Sequence, residues 1–337
     1  MRRVLLTGAS GFVGSHVLRH LLAKTDWEIV CPVTFRHKGL PDRIKLSVSG
    51  IDEDFKRVRV VKCDLVYPIS KLTSLEFGEI NFIINVASES HVDRSIMYPA
   101  DFIINNVSLM CNILDWAKTQ DNLEKFVQVS TDEVYGPAAE GHKHKEWVDQ
   151  HLPSNPYSAS KSAQESIAFS YWRTYGLPIA ITNTMNIIGE MQDPEKYVPM
   201  VIKKVLNGEK VSIHGTLEGK IGSRFYLHAR NQADGLLHVL TKKFLKYGES
   251  ERLLKYNIVG EREIDNLQMA ELIASIMGKK LKYEIVDFHS SRPGHDLRYA
   301  LDGEKIKESG WTPPISLEDS LRRTINWTLR NPEWLQI

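Results

Sequence analysis

Residues 3–14 read RVLLTGASGFVG, a short apolar segment that runs directly into a glycine-rich turn. The apolar segment predicts a buried strand, and apolar side chains at helical spacing follow the turn. Gly8, Gly11 and Gly14 allow a tight turn, let a diphosphate approach main-chain N–H groups and let the helix pack on the strand. A GxxGxxG turn between a strand and a helix predicts dinucleotide binding, against the alternative of a plain strand–helix connection.

The same alternation of strand and helix continues through residue 183. Further strand segments lie at residues 28–34, 58–65, 82–87, 127–136 with its closing turn, and 178–183, and helical segments at 101–116 and 157–175. This order is typical of an α/β protein with a Rossmann-type, doubly wound parallel sheet. The sequence therefore predicts a dinucleotide-binding Rossmann domain over residues 1–183.

Beyond residue 183 the pattern is less regular. Helical segments at residues 199–206, 267–277 and 317–329 alternate with short strands near 211–214 and 282–286. We expect a smaller α+β substrate-binding domain over residues 184–337. Segments from about 211–260 are expected to return to the edge of the first sheet.

Composition excludes several classes of protein. The 337 residues carry 43 basic and 42 acidic side chains, so no global field favours a nucleic acid or a membrane surface as partner. Cys31, Cys63 and Cys111 lie far apart and have no metal-ligand spacing, so no metal is predicted. No apolar run approaches 18 residues and no signal peptide is recognised, so we expect a cytoplasmic protein.

The residues at the end of the second predicted strand bear on whether the cofactor is NAD or NADP. NAD sites commonly place an acidic residue there for the ribose 2′-hydroxyl, but this chain has Thr34, Arg36 and Lys38 instead. A hydroxyl beside cations suits a 2′-phosphate, which favours NADP. The alternative is that these cations are solvated loop charges and that the site takes NAD. Asp64 and Leu65 are expected near adenine, and Ala87 and Ser88 near the diphosphate and ribose.

A polar turn and a Tyr-x3-Lys pair carry the predicted chemistry. Residues 130–133 read STDE after a buried strand, and strand ends in open α/β sheets face the ligand. Tyr157 and Lys161 lie on one helix face, where the ammonium should lower the pKa of the phenol and make it a usable base. The alternative is a surface tyrosine beside a solvated lysine.

Together these motifs resemble the extended short-chain dehydrogenase-reductases, and within them the nucleotide-sugar 4,6-dehydratases, most closely those that act on dTDP-glucose. The resemblance runs almost end to end. It includes residues 87–96, 130–136, 157–161, 194–199, 256–258 and 292–299. Two departures are an Ile-Ile-Gly-Glu run at residues 187–190, where the family usually has Asn-Tyr-Gly-Pro, and Phe-Tyr after Arg224, where it usually has Asp-Trp.

The resemblance implies a division of catalytic roles. Tyr157, aided by Lys161, would take the proton of the sugar 4-hydroxyl while hydride passes from C4 to the nicotinamide. Glu133 as base and Asp132 as a protonated acid would then expel water across C5–C6, and the hydride would return to C6. Thr131 would hold the 4-oxygen. The cofactor would stay tightly bound and be recycled.

The resemblance also implies binding residues and an oligomeric state. The cofactor site would extend to Ser10, Phe12, Val13 and Asn106 and would include Tyr157 and Lys161. For the nucleotide-diphosphate sugar the candidates are Ser90, His91, Thr131, Asn186, Glu195, Lys196, Tyr197, Arg224, Asn257, Arg292 and His295; from its spacing alone, His91 could also be an ordinary loop residue. Helices 101–116 and 157–175 carry apolar residues on more than one side, and relatives pair them as a four-helix bundle, so we expect a homodimer.

Three alternatives stay open at this point. A 4-epimerase would share the C4 oxidation but has no use for the Asp132–Glu133 pair. A 5,6-dehydratase would omit the final hydride return and would keep both carboxyls. A catalytically inert, cofactor-binding regulator would have no reason to combine these carboxyls with Tyr157 and Lys161.

Overall fold

The computed structural model describes residues 2–216, 218–287 and 296–336. In chain order its strands are β1 Arg3–Thr7, β2 Glu28–Val33, β3 Val58–Lys62, β4 Phe82–Asn85, β5 Lys125–Thr131, β6 Ile179–Thr184, β7 Asn186–Ile188, β8 Lys210–Gly215, β9 Ser223–His228, β10 Leu254–Ile258, β11 Glu263–Asp265 and β12 Lys282–Asp287. Its α-helices are α1 Phe12–Lys24, α2 Pro41–Val48, α3 Lys71–Phe77, α4 Val92–Met97, α5 Pro99–Ala117, α6 Pro156–Tyr175, α7 Tyr197–Asn207, α8 Ala229–Leu240, α9 Asn266–Ile276, α10 Glu304–Glu308 and α11 Leu317–Arg330.

A seven-stranded sheet in the order β10-β6-β5-β4-β1-β2-β3 forms the central layer. Every pairing within it is parallel. The chain proceeds outward from β1 to β3 on one side, and then crosses back to β4 on the other. The crevice for a ligand in such a sheet lies where the strand order reverses, at the carboxyl ends of the strands. Here that switch point lies between β1 and β4.

Helices cover both faces of this sheet, as the nearly continuous apolar strands require. On one face, α1, α2 and α8 contribute buried residues such as Leu18, Ile44 and Leu236 to a common core. On the other face, α3, α5 and α6 contribute Phe77, Ile113 and Trp172. The predicted doubly wound sheet is thus confirmed.

A smaller group of elements follows β6. Strands β11, β9 and β7 form a three-stranded sheet, and β8 pairs with β12 in parallel. Helices α7, α9 and α11 pack with them around a separate apolar core that includes Ile202, Ile273 and Leu321. The strand β10 and the helix α8 lie with the large sheet instead. The domain division at residue 183 stays a prediction.

Helix α8 is an element that the sequence analysis did not single out. Gly235 interrupts its apolar pattern, and the structure supplies a reason for the glycine. A Cβ at this position would lie only 3.1 Å from Ile258 and 3.2 Å from Trp311, so the helix approaches the sheet very closely. None of the helices described here is both long and apolar enough to cross a lipid bilayer.

A buried ion pair connects the edge strand β10 to the helix α6. The Lys255 ammonium lies 2.6 Å from a Glu165 carboxylate oxygen, and both side chains are almost fully buried. Burial alone would raise the pKa of Glu165, but Lys255 and His151 together hold it below its ordinary value. The other Glu165 oxygen accepts a hydrogen bond from Asn183 on β6. The pair therefore holds the edge strand β10 against helix α6, which carries Tyr157 and Lys161.

Replacing Lys255 by Met should reduce the free energy of unfolding by about 3–5 kcal/mol, because it leaves the Glu165 carboxylate buried without its main partner. Urea denaturation of the purified variant measures this loss. Adding Glu165→Gln to Lys255→Met should recover a large part of the stability, since no buried charge is then left uncompensated. A single variant that loses less than about 1 kcal/mol would contradict this role of the pair.

Candidate active site

A cavity of about 750 Å³ opens at the carboxyl edge of the large sheet, at its switch point. Most of the residues singled out from the sequence line it. They are Gly8, Ser10, Gly11, Phe12, Val13, Gly14, Thr34, Arg36, Lys38, Asp64, Leu65, Ala87, Ser88, Ser90, His91, Thr131, Asp132, Glu133, Tyr157, Lys161, Asn186, Glu195, Lys196 and Tyr197. The topology thus brings together residues that are up to 190 positions apart.

The glycine turn between β1 and α1 forms one wall of this cavity. Gly8 has φ +70°, a conformation that a side chain disfavours, and a Cβ at Gly14 would collide with the Gly8 carbonyl. No side chain caps the N-terminus of α1, so its first N–H groups remain available to a ligand. A helix N-terminus of this kind attracts phosphate through its N–H groups and its dipole. These residues fit the diphosphate of a nicotinamide dinucleotide.

The residues predicted for the adenosine ribose are present at the cavity but are engaged with acidic partners. The Arg36 guanidinium donates to Asp64 at 2.8 Å, and the Lys38 ammonium donates to Glu195 at 2.8 Å. The Thr34 hydroxyl accepts from the Arg36 backbone N–H. Arg36 remains about half exposed. A carboxylate and a guanidinium therefore both lie at this end of the site.

A further polar cluster at this rim was not identified from the sequence. His37 lies 2.9 Å from Glu89, and Arg94 approaches the other ring nitrogen of His37 at 3.0 Å. All three line the cavity. His37 also has φ +53°, which is uncommon for a residue with a side chain. The position of Glu89 shortly after β4 was the available signal, because strand ends face the ligand in this architecture.

The polar turn after β5 is a 3₁₀ turn over Asp132–Tyr135. The Thr131 hydroxyl donates to one Asp132 carboxyl oxygen at 2.9 Å. The other oxygen of Asp132 is buried and has no hydrogen-bond partner among the described residues. Glu133 accepts a hydrogen bond from the side chain of Asn155, which also caps α6. Two adjacent carboxyls therefore have different surroundings within one turn.

Burial decides the protonation of these carboxyls. It raises the pKa of Asp132 to about 7, and the neighbouring Glu133 charge adds to that effect. Burial also raises the pKa of Glu133, which the Asn155 hydrogen bond and then the Arg224 charge oppose. Asp132 is thus held as a carboxylic acid up to about neutrality. A protonated carboxyl beside a hydrogen-bonded one is the arrangement expected of an acid–base pair.

Tyr157 and Lys161 lie on the buried face of α6, as predicted. The Lys161 ammonium donates to the Val129 carbonyl and to Gln164, each at 2.7 Å, and no hydrogen bond joins it to Tyr157. Burial lowers the pKa of Lys161 to about 7. Burial and the Glu133 charge raise the pKa of Tyr157 above its ordinary value. In the chain alone, the predicted lowering of the Tyr157 pKa is therefore wrong, because burial and then the Glu133 charge raise it.

Three of the predicted binding residues do not line the cavity. Asn106 is buried and joins the loop at Glu89 to Ser160, so it supports the wall from behind. The Asn257 amide donates to the His144 and Asp302 carbonyls. The Arg224 guanidinium donates to backbone carbonyls at residues 223, 296 and 297. The predicted Arg292 and His295 lie outside the described residues.

The remaining sugar-nucleotide candidates line the cavity, and some of them also make contacts within the chain. The His91 ring caps α4 by accepting from the Arg94 N–H, and its other nitrogen lies 3.6 Å from Glu195. The Tyr197 hydroxyl donates to the Asn266 carbonyl at the start of α9. Lys196 precedes α7 and also faces the cavity. Elements that follow β6 thus contribute to the site together with the large sheet.

Comparisons with known sequences agree with this geometry. The profile of the NAD dependent epimerase/dehydratase family matches residues 4–258. A dTDP-glucose 4,6-dehydratase from Shigella flexneri is 33% identical over 356 residues, which cover 99% of this chain and 94% of that protein. A trifunctional UDP-glucose 4,6-dehydratase from Arabidopsis thaliana is 34% identical over 340 residues, covering 99% of this chain and 48% of that protein.

Solved structures give the same result. A dTDP-glucose 4,6-dehydratase from Bacillus anthracis in complex with NAD superposes with a TM-score of 0.85 at 29% identity, covering 100% of this chain and 99% of that one. A double mutant of the same kind of enzyme from Streptomyces venezuelae, also with NAD bound, gives a TM-score of 0.85 at 30% identity, with coverages of 100% and 99%. A UDP-glucose 4-epimerase from Thermus thermophilus, at 24% identity, coverages of 96% and 98% and a TM-score of 0.81, shares the fold.

Replacing Asp132 by Asn should make the ligand-free protein more stable at alkaline pH. The folded-state pKa of Asp132 is raised, so its stability contribution is complete below the unfolded-state pKa near 4 and is lost as pH rises through about 7. A neutral amide avoids that loss. Urea denaturation at pH 5 and pH 8.5 should show the advantage of the variant growing by on the order of 3 kcal/mol.

Glu140→Gln is the matched control, because the Glu140 carboxylate is exposed on the surface. Its effect on stability should be small at both pH values. An Asp132→Asn variant whose relative stability is the same at pH 5 and pH 8.5 would show that Asp132 ionises normally.

Proposed function

This chain belongs to the NAD dependent epimerase/dehydratase family, and we propose that it is a nucleotide-sugar 4,6-dehydratase, a hydro-lyase that converts an NDP-hexose to the NDP-4-keto-6-deoxyhexose. The single observation that carries the proposal is the buried Asp132 beside the partly buried Glu133, in the same cavity as Tyr157 and Lys161. The relatives named dTDP-glucose 4,6-dehydratase, similar over nearly the whole chain, support it. We propose dTDP-glucose or UDP-glucose as the substrate class.

In the first half of the reaction, Tyr157 accepts the proton of the sugar 4-hydroxyl. A bound nicotinamide would supply reversible hydride transfer between C4 and C6. Because the chain alone raises the pKa of Tyr157, we infer that its phenolate forms only in the filled site. Thr131 lies within hydrogen-bonding reach of Tyr157 and holds the 4-oxygen beside it. Lys161 stays anchored to β5 and α6 through Val129 and Gln164.

In the second half, the carboxyl pair removes water. The ketone at C4 acidifies the C5 hydrogen, and Glu133 takes that proton. Asp132 gives its proton to the C6 hydroxyl, which leaves as water, and Glu133 returns its proton to C5 as C6 is reduced. The raised pKa of Asp132 keeps this proton available near neutrality, and its oxygen without a partner is free to face the leaving group. Both carboxyls act in general acid–base catalysis, for which a pKa near the working pH is favourable.

The two enzymatic alternatives differ in their need for these carboxyls. A 4-epimerase requires no acid–base pair at C5 and C6, and the epimerases that superpose here at less than 25% identity share only the fold. A 5,6-dehydratase would use the same residues without returning hydride to C6. The fate of the C4 hydrogen therefore separates the proposal from this alternative.

For the cofactor we propose NADP in preference to NAD. The support is the half-exposed Arg36 beside Thr34, at the end of β2. An arginine fork can grip a 2′-phosphate with two parallel hydrogen bonds. The same contact argues against NADP. Asp64 accepts a hydrogen bond from Arg36 at 2.8 Å and could itself accept one from a ribose 2′-hydroxyl. To bind NADP, the Arg36 guanidinium must either break its hydrogen bond to the Asp64 carboxylate or bind this carboxylate and the 2′-phosphate together.

For the sugar nucleotide we propose that Lys196, Arg224 and Arg292 supply positive charge near the diphosphate, with Ser90, His91 and Asn186 along the wall. Lys196 and Arg224 both act electrostatically on Glu133, and this effect supports the proposal. We also propose that residues 184–337 act mainly as the sugar-nucleotide domain, while the segment containing α8 and β10 belongs to the dinucleotide domain.

For the assembly we propose a homodimer through α5 and α6. Of the apolar residues on these helices, Phe102, Leu109, Ile113 and Trp172 are buried in the core of the chain. The surface of these helices still exposes Ile103, Ile104 and Tyr175. Exposed apolar side chains on this helix pair favour a partner helix pair.

The central test is product analysis after incubation with dTDP-glucose and with UDP-glucose carrying deuterium at C4. We expect loss of one water by mass spectrometry and deuterium at C6 by NMR. Tyr157→Phe should fold and bind substrate but lose roughly 10²- to 10⁴-fold in rate, because its base is gone. A product of unchanged mass would indicate an epimerase, and water loss with no label at C6 a 5,6-dehydratase. A Tyr157→Phe variant of normal rate would exclude Tyr157 as the base.

The cofactor prediction is tested by denaturing the purified protein and identifying the nucleotide that is released. We expect NADP. Arg36→Ala should weaken NADP binding by roughly ten- to a hundredfold while changing NAD binding little, because only the 2′-phosphate contact is lost. Release of NAD alone, with both affinities unaffected by Arg36→Ala, would make Arg36 an ordinary partner of Asp64.

The dimer prediction is tested by light scattering at micromolar concentration. The wild type should have twice the mass of the chain. Ile104→Lys places a charge among the exposed apolar residues of α5 and should shift the equilibrium toward monomer. Leu72→Lys on α3 is the matched control, since Leu72 is an equally apolar and more exposed side chain that lies outside α5 and α6. A monomeric wild type, or equal behaviour of the two variants, would refute this interface.

A further inference from the structure

A cluster of two histidines and an aspartate lies in the segment that follows the catalytic 3₁₀ turn. His142, His144 and Asp149 each offer one ligand atom, and these atoms all lie within 4.8 Å of one another. None of the three lines the catalytic cavity. Cysteine spacing gives no sign of this cluster, whereas a His-x-His pair followed five residues later by Asp is a sequence signal for it.

The distances within the cluster suit a shared metal ion. Asp149 Oδ1 lies 2.8 Å from His142 Nε2 and 3.5 Å from His144 Nδ1. Tetrahedral Zn²⁺ with bonds of about 2.0–2.1 Å separates its ligand atoms by about 3.3 Å. Small shifts of the Asp149 carboxylate and the half-exposed His142 ring would therefore form a three-ligand site. The exposure of His142 leaves room for water at a fourth position.

His144 offers a buried imidazole ring to the cluster. Its residue surface is only 8% exposed, and neither ring nitrogen has a hydrogen-bond partner among the described residues. Buried polar atoms are rarely left unpaired. The backbone of His144 is fixed by hydrogen bonds with Ala300 and Asp302, and its ring stacks on Tyr135 at a centroid distance of 5.1 Å. The ring is thus held in place with a nitrogen directed at Asp149.

The groups around the cluster orient it as the outer shell of a metal site would. The second carboxylate oxygen of Asp149 accepts from the Lys145 N–H at 2.7 Å. The His142 carbonyl accepts from Arg298 at 2.7 Å. Outer-shell hydrogen bonds of this kind fix the direction of ligand atoms. The neighbouring ammonium groups do not occupy the site, because Lys143 lies over the Phe225 ring and Lys145 faces Asp302.

We propose that His142, His144 and Asp149 bind one divalent first-row transition metal ion, of which Zn²⁺ is the best fit. Imidazole and carboxylate donors suit Zn²⁺, whereas Mg²⁺ and Ca²⁺ take oxygen ligands alone. The site lies between the catalytic turn and the segment at residues 298–302, which contacts it through Arg298 and Ala300. The ion acts as a structural clamp on this segment. Because none of its three ligands lines the catalytic cavity, we assign the ion no part in the reaction.

The test uses full-length protein without a polyhistidine tag, stripped with a chelator and dialysed. Zn²⁺ is then titrated in competition with a chromophoric chelator. We expect one tight site per chain, and saturating Zn²⁺ should raise the melting temperature, since an ion that binds only the folded state stabilises it. Co²⁺ in its place should give the strong visible bands of a tetrahedral site, and Mg²⁺ should leave the melting temperature unchanged.

His142→Ala and Asp149→Asn should weaken Zn²⁺ binding at least about 100-fold, because even the loss of an outer-shell partner weakens metal sites 10- to 100-fold. His142 is half exposed, so its removal should not prevent folding. His20→Ala is the matched control, since His20 faces Asp234 at 3.4 Å and belongs to no such cluster among the described residues. Absence of a one-equivalent site, or equal affinity in His142→Ala and His20→Ala, would overturn the proposal.

Discussion

Parallel pairing of β1, β4, β5 and β6 is the constraint on which the site depends. Parallel strands end at one edge, so the glycine turn after β1, the loop after β4 and the polar turn after β5 must meet there. The sheet is covered on both faces, which leaves this edge as the place where a polar ligand can reach its backbone. The helix α6 then returns along the sheet and brings Tyr157 and Lys161 to the turn that carries Asp132 and Glu133.

Ionisable side chains are buried away from water at the same edge of the sheet. Burial raises the pKa of Asp132 to about 7 and lowers that of Lys161 to about 7. Both shifts show that the charged forms are unfavourable there, so these residues reduce the stability of the fold at neutral pH. The hydrogen bonds of Lys161 to Val129 and Gln164 and the buried Lys255–Glu165 pair offset part of this cost. Local instability of this kind is expected where function requires it.

Much of the fold was predictable from the sequence because its strands are continuous apolar runs. The predicted strand at residues 28–34 ends one residue after β2, and the predicted strand at 178–183 begins and ends one residue before β6. The predicted helix at 267–277 begins and ends one residue after α9, and the one at 317–329 ends one residue before α11. Residues at strand ends, such as Asp64 and Thr131, were assigned to the cavity by the same logic, and they line it. These features follow from local pattern and topology alone.

What the sequence did not predict depends on tertiary burial. The close approach that requires Gly235 in α8, the ion pair that engages Arg36 and the positions of Asn106 and Asn257 behind the cavity all arise from contacts between distant segments. The direction of the Tyr157 pKa shift was wrong for the same reason. Helical spacing places Lys161 on the same face, but only the folded chain shows that desolvation dominates and that the ammonium is bound elsewhere.

The central claim is that Tyr157 serves the oxidation at C4, while Asp132 serves only the loss of water that follows. The most direct measurement is a single turnover of the Asp132→Asn variant, holding its cofactor, with dTDP-glucose or UDP-glucose, followed by ultraviolet absorbance and mass spectrometry. The account predicts that reduced nicotinamide accumulates while the sugar retains its water, because the hydride has left C4 but the acid for the C6 hydroxyl is missing. Dehydrated product at the wild-type rate, or bound substrate with no reduced nicotinamide, would contradict it.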